Sequence, residues 1–437
     1  MKQKIYKRKR IIPVGWKEIK LGDVFRTSSG STPLSTEKSY YEGGVIPWIN
    51  SGELASPYIY KTSNYITQKG FENSSTELYP KDTVLVAMYG ATAGKASLLK
   101  LEACTNQAIC AILPNEDYCP EFIKYNIDTL YEHLVGLSSG SARDNLSQAG
   151  LKELKLVLPK TKKEQEKLVS VLSLLDRKIE LNRQINDNLE AMAKQLYDYW
   201  FVQFDFPNEE GKPYKSSGGA MVWNEKLKRE IPQGWSDCVL GDYIGRITNG
   251  LNPRKNFVLG SGNNYYVTIR SLIGTTIDWN NCDRCDDEAL SKINSRSQLQ
   301  IGDIIFSAIG TIGRTYYILE EPTNWNISET SFTLRAKENV PNDFFYGMLR
   351  SNEIQIKADK AAMGSTLRCL VMDSLCSLQY IEIPSYMMKL FAAKVSPLYR
   401  QIHRNNKEIA ELTKQRDELL PLLMNGQASV NYHLSDD

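Results

Sequence analysis

The chain has 437 residues, of which 42% are hydrophobic and 24% are charged, and its formal net charge at pH 7 is +2. This length exceeds what one hydrophobic core usually serves, so we expect two or more domains. The absence of an apolar run of about 18 residues excludes a membrane span. A nearly balanced charge does not favour nucleic-acid binding, although it leaves open a locally concentrated basic surface.

The N-terminus and the cysteines indicate a cytoplasmic protein. No apolar stretch follows the first basic residues, which excludes a secretory signal and leaves a solvated tail or a phosphate-contacting arm (Lys2, Lys4, Lys7, Arg8, Lys9 and Arg10). The eight cysteines are scattered, which is typical of a reduced protein. Cys282-x₂-Cys285 has no second ligand pair for zinc, so we predict no metal site.

The chain contains the same sequence unit twice. Residues 12–23 and 231–242 share the pattern Ile-Pro-x-Gly-Trp-x₄-Leu-Gly-Asp. Later matches recur in the same order, namely the glycine turns at 90–94 and 310–313, the pairs Gly140-Ser141 and Gly364-Ser365, and Ile179-x₂-Asn182 with Ile402-x₂-Asn405. A duplicated unit of domain size predicts a pseudo-two-fold symmetric molecule.

Each copy begins with a globular part of mixed α/β character. Short β-rich runs at 83–87, 155–158, 303–306 and 380–383 alternate with Gly, Ser, Asn and Pro loops, which predicts strands and turns. We therefore predict two similar globular domains separated by two long antiparallel coiled-coil helices. The predicted ranges are 1–158 for the first domain, 159–206 for the first helix, 207–383 for the second domain and 384–437 for the second helix.

The first long helix is predicted by a stretch from 160 to 206 that contains neither Gly nor Pro. Its apolar residues follow the alternating spacing of a heptad seam, with Asn182 and Asn186 on the same line (Leu168, Leu172, Leu175, Ile179, Leu189, Leu196 and Trp200). Such a seam needs a partner helix, because it would otherwise expose apolar side chains to water.

The second long helix has a comparable seam and a C-terminal stop at Asn425-Gly426. The seam residues share one register (Val395, Leu398, Ile402, Asn405, Ile409, Leu412, Leu419 and Leu423). Pro397 requires either a helix that begins there, capped by Ser396, or a kinked helix. Pseudo-two-fold symmetry predicts antiparallel pairing of the two helices, with Asn182 and Asn405 as polar residues that set their register.

Motifs for catalysis are missing. The chain has three histidines and no Gly-x-Ser-x-Gly nucleophile motif. The run 90–96 is too short between its glycines for a phosphate-binding loop, and Ala96 replaces the Ser or Thr that binds magnesium. Neither an Asn-Pro-Pro-Tyr methyltransferase motif nor a dinucleotide-binding glycine loop occurs. We therefore predict a chain that is not an enzyme and carries no cofactor.

A duplicated globular domain plus long helix, without catalytic motifs, resembles the specificity subunit of type I restriction–modification systems. The resemblance covers nearly the whole chain. It is carried by the two Ile-Pro-x-Gly-Trp openings and by the segments LYDYWFVQFDF at 196–206 and RDELLPLLMNG at 416–426. It implies two target-recognition domains, each of which reads one half of a split, asymmetric site in double-stranded DNA.

The same resemblance implies the partners. The helices would set the spacer between the half-sites and dock two modification subunits, which are methyltransferases that use S-adenosylmethionine. Methyl transfer requires a base flipped into a pocket, and this sequence shows no motif for one. Restriction subunits, which are ATP-dependent translocases and nucleases, are a further possible partner.

Base edges are read mainly by polar and basic side chains. Our candidates lie just after the openings or in loops at matching positions of the two copies, where 48–51 is aligned with 268–271 (Arg26, Asn50, Ser51, Tyr89, Lys95, Arg143, Arg246, Arg270, Arg314 and Arg368). For each, a solvated or salt-bridged surface role is the alternative. Tyr199, Trp200 and Phe201 either pack the helix end against a domain or dock the partner subunit.

Two other functions fit the same sequence features. One is a coiled-coil scaffold with two protein-binding heads, which would bind DNA without regard to sequence. The other is an enzyme that acts on DNA alone, which would transfer methyl groups without a partner.

Overall fold

A computed structural model describes residues 12–138, 146–365 and 367–430 of the chain. Its internal contacts divide it into two compact units, the first formed by Met1–Glu180 with Ala410–Asp437 and the second by Leu181–Ile409. Each unit therefore combines a globular part with one portion of each long helix. The four ranges predicted from the sequence are each one continuous segment of the chain, whereas the first compact unit combines two segments. The four ranges therefore stay predictions.

The first unit is built from short strands and short helices. Its strands are β1 (Trp16–Lys20), β2 (Thr27–Ser29), β3 (Ile46–Ile49), β4 (Tyr58–Ile59), β5 (Tyr65–Ile66), β6 (Val84–Ala87), β7 (Ala96–Leu99), β8 (Cys104–Thr105), β9 (Ile109–Ile112) and β10 (Lys155–Pro159). Its short helices are α1 (Leu21–Val24), α2 (Gln68–Glu72), α3 (Pro120–Asp128), α4 (Tyr131–Ser138) and α5 (Gln148–Lys152). The first long helix, α6, extends over Lys162–Tyr197 and ends in a π-helical turn, Asp198–Val202.

The second unit is also built from short strands, short helices and one long helix. Its strands are β11 (Met221–Asn224), β12 (Arg229–Pro232), β13 (Ser236–Val239), β14 (Ile244–Asn249), β15 (Asn264–Val267), β16 (Leu272–Ile273), β17 (Thr276–Ile277), β18 (Asp283–Cys285), β19 (Ile304–Ser307), β20 (Thr315–Tyr317), β21 (Trp325–Ile327), β22 (Ser331–Ala336) and β23 (Gln379–Glu382). Its short helices are α7 (Pro253–Asn256), α8 (Asp287–Ser297), α9 (Asn342–Arg350), α10 (Asn352–Ala361) and α11 (Met372–Cys376). The second long helix, α12, extends over Ser385–Met424.

The strand order confirms that the globular parts are two copies of one fold. In the first unit a five-stranded sheet has the order β2-β9-β6-β7-β4, and in the second a four-stranded sheet has the order β14-β22-β19-β20. Three-stranded sheets follow the same rule, with β5-β3-β8 in one unit and β18-β15-β21 in the other. The opening strands also match, because β1 pairs with β10 and β13 pairs with β23. The fold is mixed α/β, as predicted.

The long helices pair in antiparallel fashion within each unit, as predicted. In the second unit Asn182 Nδ2 donates to Glu408 Oε2 at 2.8 Å, and further along α6 Asn405 Nδ2 donates to Asn186 Oδ1 at 2.8 Å. In the first unit Arg416 of α12 pairs with Asp176 of α6 at 3.0 Å. The seam positions Leu172, Ile179 and Ile402 and the three asparagines are buried.

Of the two alternatives for Pro397, the structure excludes the one in which the helix begins there. The helix does not begin at Pro397 behind a Ser396 cap but at Ser385, and it continues through the proline. Proline removes one helical hydrogen bond. The cost is offset because α12 buries apolar side chains on both sides of the proline, among them Phe391 and Val395 before it and Tyr399 and Ile402 after it.

A glycine at the same point of each copy lets two strands cross closely. A Cβ atom built on Gly30 would lie 1.9 Å from the carbonyl oxygen of Thr105, and one on Gly250 would lie 1.8 Å from that of Ile327. Both distances are far inside van der Waals contact. The crossing places the loop after β3 or β15 beside the main sheet of its unit. Among the described residues, no helix has both the length and the apolar character needed to cross a membrane.

Candidate DNA interface

In the first unit, the glycine turn between β6 and β7 lies against the loop that follows β3. Gly90 and Gly94 have positive φ angles, and the backbone N–H of Gly94 donates to the carbonyl of Ala87 at 2.8 Å, which closes the turn. The Thr92 hydroxyl at its tip donates to the carbonyl oxygen of Ser51 at 2.7 Å. This contact brings together four of the predicted residues, namely Asn50, Ser51, Tyr89 and Lys95. We name these residues and Thr92 the first turn surface.

The side chains of the first turn surface differ in how they are held. Tyr89 is 49% exposed. The Lys95 ammonium lies 4.4 Å from the centre of the Tyr131 ring, a cation–π contact that leaves it at the surface. Asn50 Oδ1 accepts from Asn106 Nδ2 at 3.3 Å, and its backbone N–H donates to Glu53 at 2.9 Å. The surface therefore presents an exposed aromatic ring, an amide held by Asn106 and a cation held by Tyr131.

The second unit has the same arrangement with different side chains. The turn 310–313 is closed by a hydrogen bond from the Gly313 N–H to the carbonyl of Ser307 at 3.0 Å. Arg314, directly after it, donates through Nη1 to the carbonyls of Ile269 and Leu272 at 3.0 and 3.1 Å. Ile269 begins the 3₁₀ turn Ile269–Ser271, which carries the exposed Arg270, and Leu272 directly follows it. We name Arg270 and Arg314 the second turn surface.

The two surfaces match in position, but their residue-by-residue alignment differs from the predicted one by two places. Ile49 pairs with Thr105, and Val267 pairs with Ile327, and each of these partners contacts the crossing glycine of its copy. Asn50 therefore corresponds to Thr268, whereas the sequence match had placed it beside Arg270. The reason is a shift of loop length that the local sequence similarity concealed.

Of the other predicted readers, Arg26 and Arg246 do not join these surfaces, whereas Arg368 adjoins the second glycine turn, because its backbone carbonyl accepts a hydrogen bond from the Gly310 N–H at 2.8 Å. Arg26 is held by Glu77, with Nη2 3.2 and 3.0 Å from its carboxylate oxygens. Arg246 donates through Nη2 to the carbonyl of Arg296 at 2.9 Å. Arg368 pairs with Asp359 at 2.9 Å. The side chains of these three arginines are thus engaged by residues outside the two turn surfaces. Arg143 lies outside the described residues.

Burial separates the three aromatic residues proposed for partner docking. Trp200 is 4% and Phe201 is 1% exposed, and both pack against Phe391 with ring centres 5.7 and 5.2 Å apart. These two side chains therefore pack the end of α6 into the core of the second unit. They are too buried to dock a partner subunit directly, which corrects that prediction. Tyr199, at 38% exposure, keeps a surface position.

Sequence reasoning missed the residues that hold the turns. Thr92 carries no charge, and Gln355, whose Nε2 donates to the Gly313 carbonyl at 3.0 Å, lies far away in sequence. The crossing glycines did carry a signal, because Arg26-x₃-Gly30-x₂-Pro33 recurs as Arg246-x₃-Gly250-x₂-Pro253. Within the part of the chain that the structure describes, no three His, Cys, Asp or Glu side chains group as metal ligands.

The chain is similar to proteins of one family along nearly its whole length. Residues 13–191 match the type I restriction modification DNA specificity domain. The type I restriction enzyme MjaIX specificity subunit of Methanocaldococcus jannaschii is 30% identical over 431 residues, which cover 96% of this chain and 95% of that protein. The HindI specificity subunit of Haemophilus influenzae is 22% identical over 470 residues, covering 94% and 99%.

A solved structure shares the fold. The S subunit of a type I restriction–modification system from M. genitalium superposes with a TM-score of 0.56 at 17% identity, covering 95% of this chain and 97% of that one. With the identity and coverage of the M. jannaschii relative, the conclusion is direct: the chain belongs to the family of type I restriction–modification specificity subunits.

Proposed function

We propose that this chain selects the DNA sequence for a type I restriction–modification complex, with each globular domain reading one half of a split, asymmetric site. Specificity subunits are in general non-catalytic, and we assign methyl transfer to two partner subunits that bind S-adenosylmethionine in the cytoplasm. The observation that carries the proposal is that the turn surface occurs once in each unit, at the same point of the same fold, with different side chains.

The chemistry of the turn surfaces fits base reading. Arginine pairs with the guanine edge in the major groove, and asparagine pairs with adenine. No described residue hydrogen-bonds to the guanidinium of Arg270, so its donors are available to DNA. Since the first surface offers Asn50, Tyr89 and Lys95 in place of arginines, the two half-sites are expected to differ in sequence.

The paired helices suit a role as the spacer. Asn182 with Glu408 and Asn186 with Asn405 fix their register through side-chain hydrogen bonds. Two readers that enter the major groove from one side must be separated by about one helical turn of DNA or a multiple of it. A helix pair of fixed register supplies such a distance.

The outer face of α6 suits docking of a partner. In the second unit Leu181, Ile185, Met192 and Tyr199 recur at heptad spacing and are 46, 45, 54 and 38% exposed. The positions beside them on the helix are the polar Asn188 and Gln195. An exposed seam of this kind is typical of a surface that packs against another helix. We assign it to a modification subunit.

Reading by separate domains can be tested with the assembled complex. Sequencing of methylated bases in DNA from cells that carry the chain and its methyltransferase first gives the site. Arg270→Ala should then lower discrimination in one half-site by about tenfold, the order expected for one base contact, and Lys95→Ala should affect the other. Lys228→Ala, which removes a 73% exposed lysine elsewhere, is the control.

Three outcomes would oppose the proposal. Loss of discrimination in both halves by Arg270→Ala contradicts independent readers. Unchanged DNA affinity after scrambling the site favours the scaffold. Methyl transfer by the chain alone favours the enzyme.

The spacer role has its own test. Because 177–183 of α6 lie opposite 407–413 of α12, this heptad should be removed from both helices together, which leaves Asp176, Glu190 and Asn406 in place. The permitted spacing should shorten by roughly 10 Å, or three base-pair steps, or binding should be lost because the two readers no longer face one side of the duplex. Where binding remains, both half-site sequences should stay the same. An unchanged spacing contradicts the role.

A further inference from the structure

The Glu190 carboxylate of α6 accepts hydrogen bonds from two separate segments of the second unit. Its Oε1 accepts a hydrogen bond from the Thr275 hydroxyl at 3.0 Å, and its Oε2 accepts one from Arg350 Nη2 at 2.6 Å. The Glu190 side chain is 26% exposed and that of Arg350 is 30% exposed. The pair is thus partly shielded from water, where such contacts are stronger than at an open surface.

Thr275 lies in the hairpin turn between β16 and β17, and that turn is also tied to the other long helix. Asn406 Nδ2 of α12 donates to the Thr275 hydroxyl oxygen at 3.3 Å and to its carbonyl at 3.5 Å. The hairpin therefore contacts α6 through Glu190 and α12 through Asn406.

The same hairpin directly follows the turn that carries Arg270. Its first residue, Leu272, accepts a hydrogen bond from Arg314 through its carbonyl oxygen. Arg314 and Arg350 also line one cavity of about 420 Å³ together with Gly274 and Gln355. A displacement of Thr275 would consequently move both arginines of the second turn surface.

The first unit has a comparable connection made from other residues. Tyr58, in β4 after the loop of Asn50 and Ser51, shares a hydrogen bond with the Tyr125 hydroxyl at 3.0 Å. Tyr125 donates to Asp176 Oδ2 of α6 at 2.6 Å, and Arg416 of α12 donates to Asp176 Oδ1 at 3.0 Å. A carboxylate of α6 thus connects the reading loop to both long helices here as well.

We infer that Glu190 and Asp176 are positioning residues, each of which sets the place of its own domain's reading loop relative to the paired helices. This inference rests on the proposed function. It assigns the accuracy of base reading to residues on the helices, which themselves touch no base. The two half-sites should then depend on separate links, through Thr275 in the second unit and Tyr58 in the first.

The test removes one hydroxyl from each link in the assembled complex. Thr275→Val should lower discrimination only in the half-site that Arg270 reads, by roughly fivefold, the effect of one hydrogen bond. Tyr58→Phe should do so only in the other half-site. Glu190→Gln should act as Thr275→Val does, and the double variant should be no worse than Glu190→Gln alone. Asp187→Asn removes the same charge from an exposed position of α6 and should change neither half-site.

Discrimination is measured by binding to duplexes with single-base changes in each half, and thermal unfolding shows that each variant is folded. Equal losses in both half-sites, or unchanged discrimination in Thr275→Val and Glu190→Gln, would overturn the inference. Failure of the unaltered complex to discriminate at all would instead overturn the proposed function.

Discussion

Asn186 of α6 and Asn405 of α12 form a direct hydrogen bond between the two long helices, with Asn405 Nδ2 2.8 Å from Asn186 Oδ1. Asn405 is 4% and Asn186 is 6% exposed. Both amides are otherwise satisfied within the second unit, since Gln401 donates to Asn405 at 2.7 Å and Asn186 donates to Asn406 at 2.8 Å. A buried amide pair of this kind favours one register of the helices over others.

Replacing one asparagine of this pair should lower the free energy of unfolding more than replacing both. Asn405→Leu leaves the buried Asn186 carbonyl oxygen without its donor, so we expect a loss of about 1–3 kcal/mol in the free energy of unfolding. Asn186→Leu/Asn405→Leu removes both polar groups and should recover most of this loss, while the helix register becomes less well defined. Urea unfolding measures the stability. A double variant as unstable as the sum of the single ones contradicts the pairing.

Breaking the buried ion pair between Asp176 and Arg416 should destabilise the protein more than breaking the exposed contact between Arg416 and Asp417. Asp176 is 1% exposed and accepts from Arg416 and Tyr125. Asp176→Asn leaves the Arg416 cation without a buried countercharge, and we expect a loss of about 3 kcal/mol. Asp417→Asn breaks a contact that Arg416 makes to a 57% exposed carboxylate and should cost less than about 1 kcal/mol. Similar losses in the two variants, measured by urea unfolding, would argue against a buried pair.

The long helices were predictable because their signal is local. Heptad spacing over 160–206 and the lack of Gly and Pro identify α6 without any knowledge of its surroundings. Whether α12 continues through Pro397 was not predictable in this way. Pro397 is a strong local signal for a helix start, and it is overridden by Phe391 and Val395, which are buried in the core of the second unit. Tertiary packing decides that position.

The candidate interface was likewise predictable from the sequence only in part. The glycine turns and the loops after β3 and β15 were found from the repeat, because duplication preserves the order of such features. The contacts that hold the turns were not found, since Thr92 and Ser51 or Arg314 and Ile269 are distant in sequence. The repeat also could not separate Arg270 from Arg26, whose guanidinium is engaged by Glu77.

Three thiols of the first unit should be unreactive in the folded protein. Burial raises the pKa of Cys110 and Cys119 to about 12 and that of Cys104 to about 11, from an ordinary value of 9.0. Since the thiolate is the reactive form, iodoacetamide at pH 8 should modify them much more slowly than in urea. Trypsin releases all three on the peptide 101–124, whose alkyl groups are counted by mass spectrometry.

The raised pKa values of these three thiols also predict how the stability of the protein depends on pH. The folded state binds these protons more tightly than the unfolded state, so the stabilisation is complete below pH 9 and declines as the pH rises from 9 towards 12. Equal alkylation rates in folded and denatured protein would contradict the burial of the thiols.

The crossing glycines should tolerate no side chain. In Gly30→Ala the new methyl group would meet the backbone of Thr105, and in Gly250→Ala it would meet that of Ile327, so neither neighbour can rotate away. We expect each variant to lose about 1–3 kcal/mol of stability, or more if the strands cannot separate. Gly52→Ala is the matched control, because no atom lies within 4 Å of the position that its methyl group would take and its φ angle is ordinary. The two crossing variants should also lower discrimination in different half-sites, since each crossing supports one turn surface. A Gly30→Ala protein as stable as Gly52→Ala in urea would show that the two strands leave room for a side chain at their crossing.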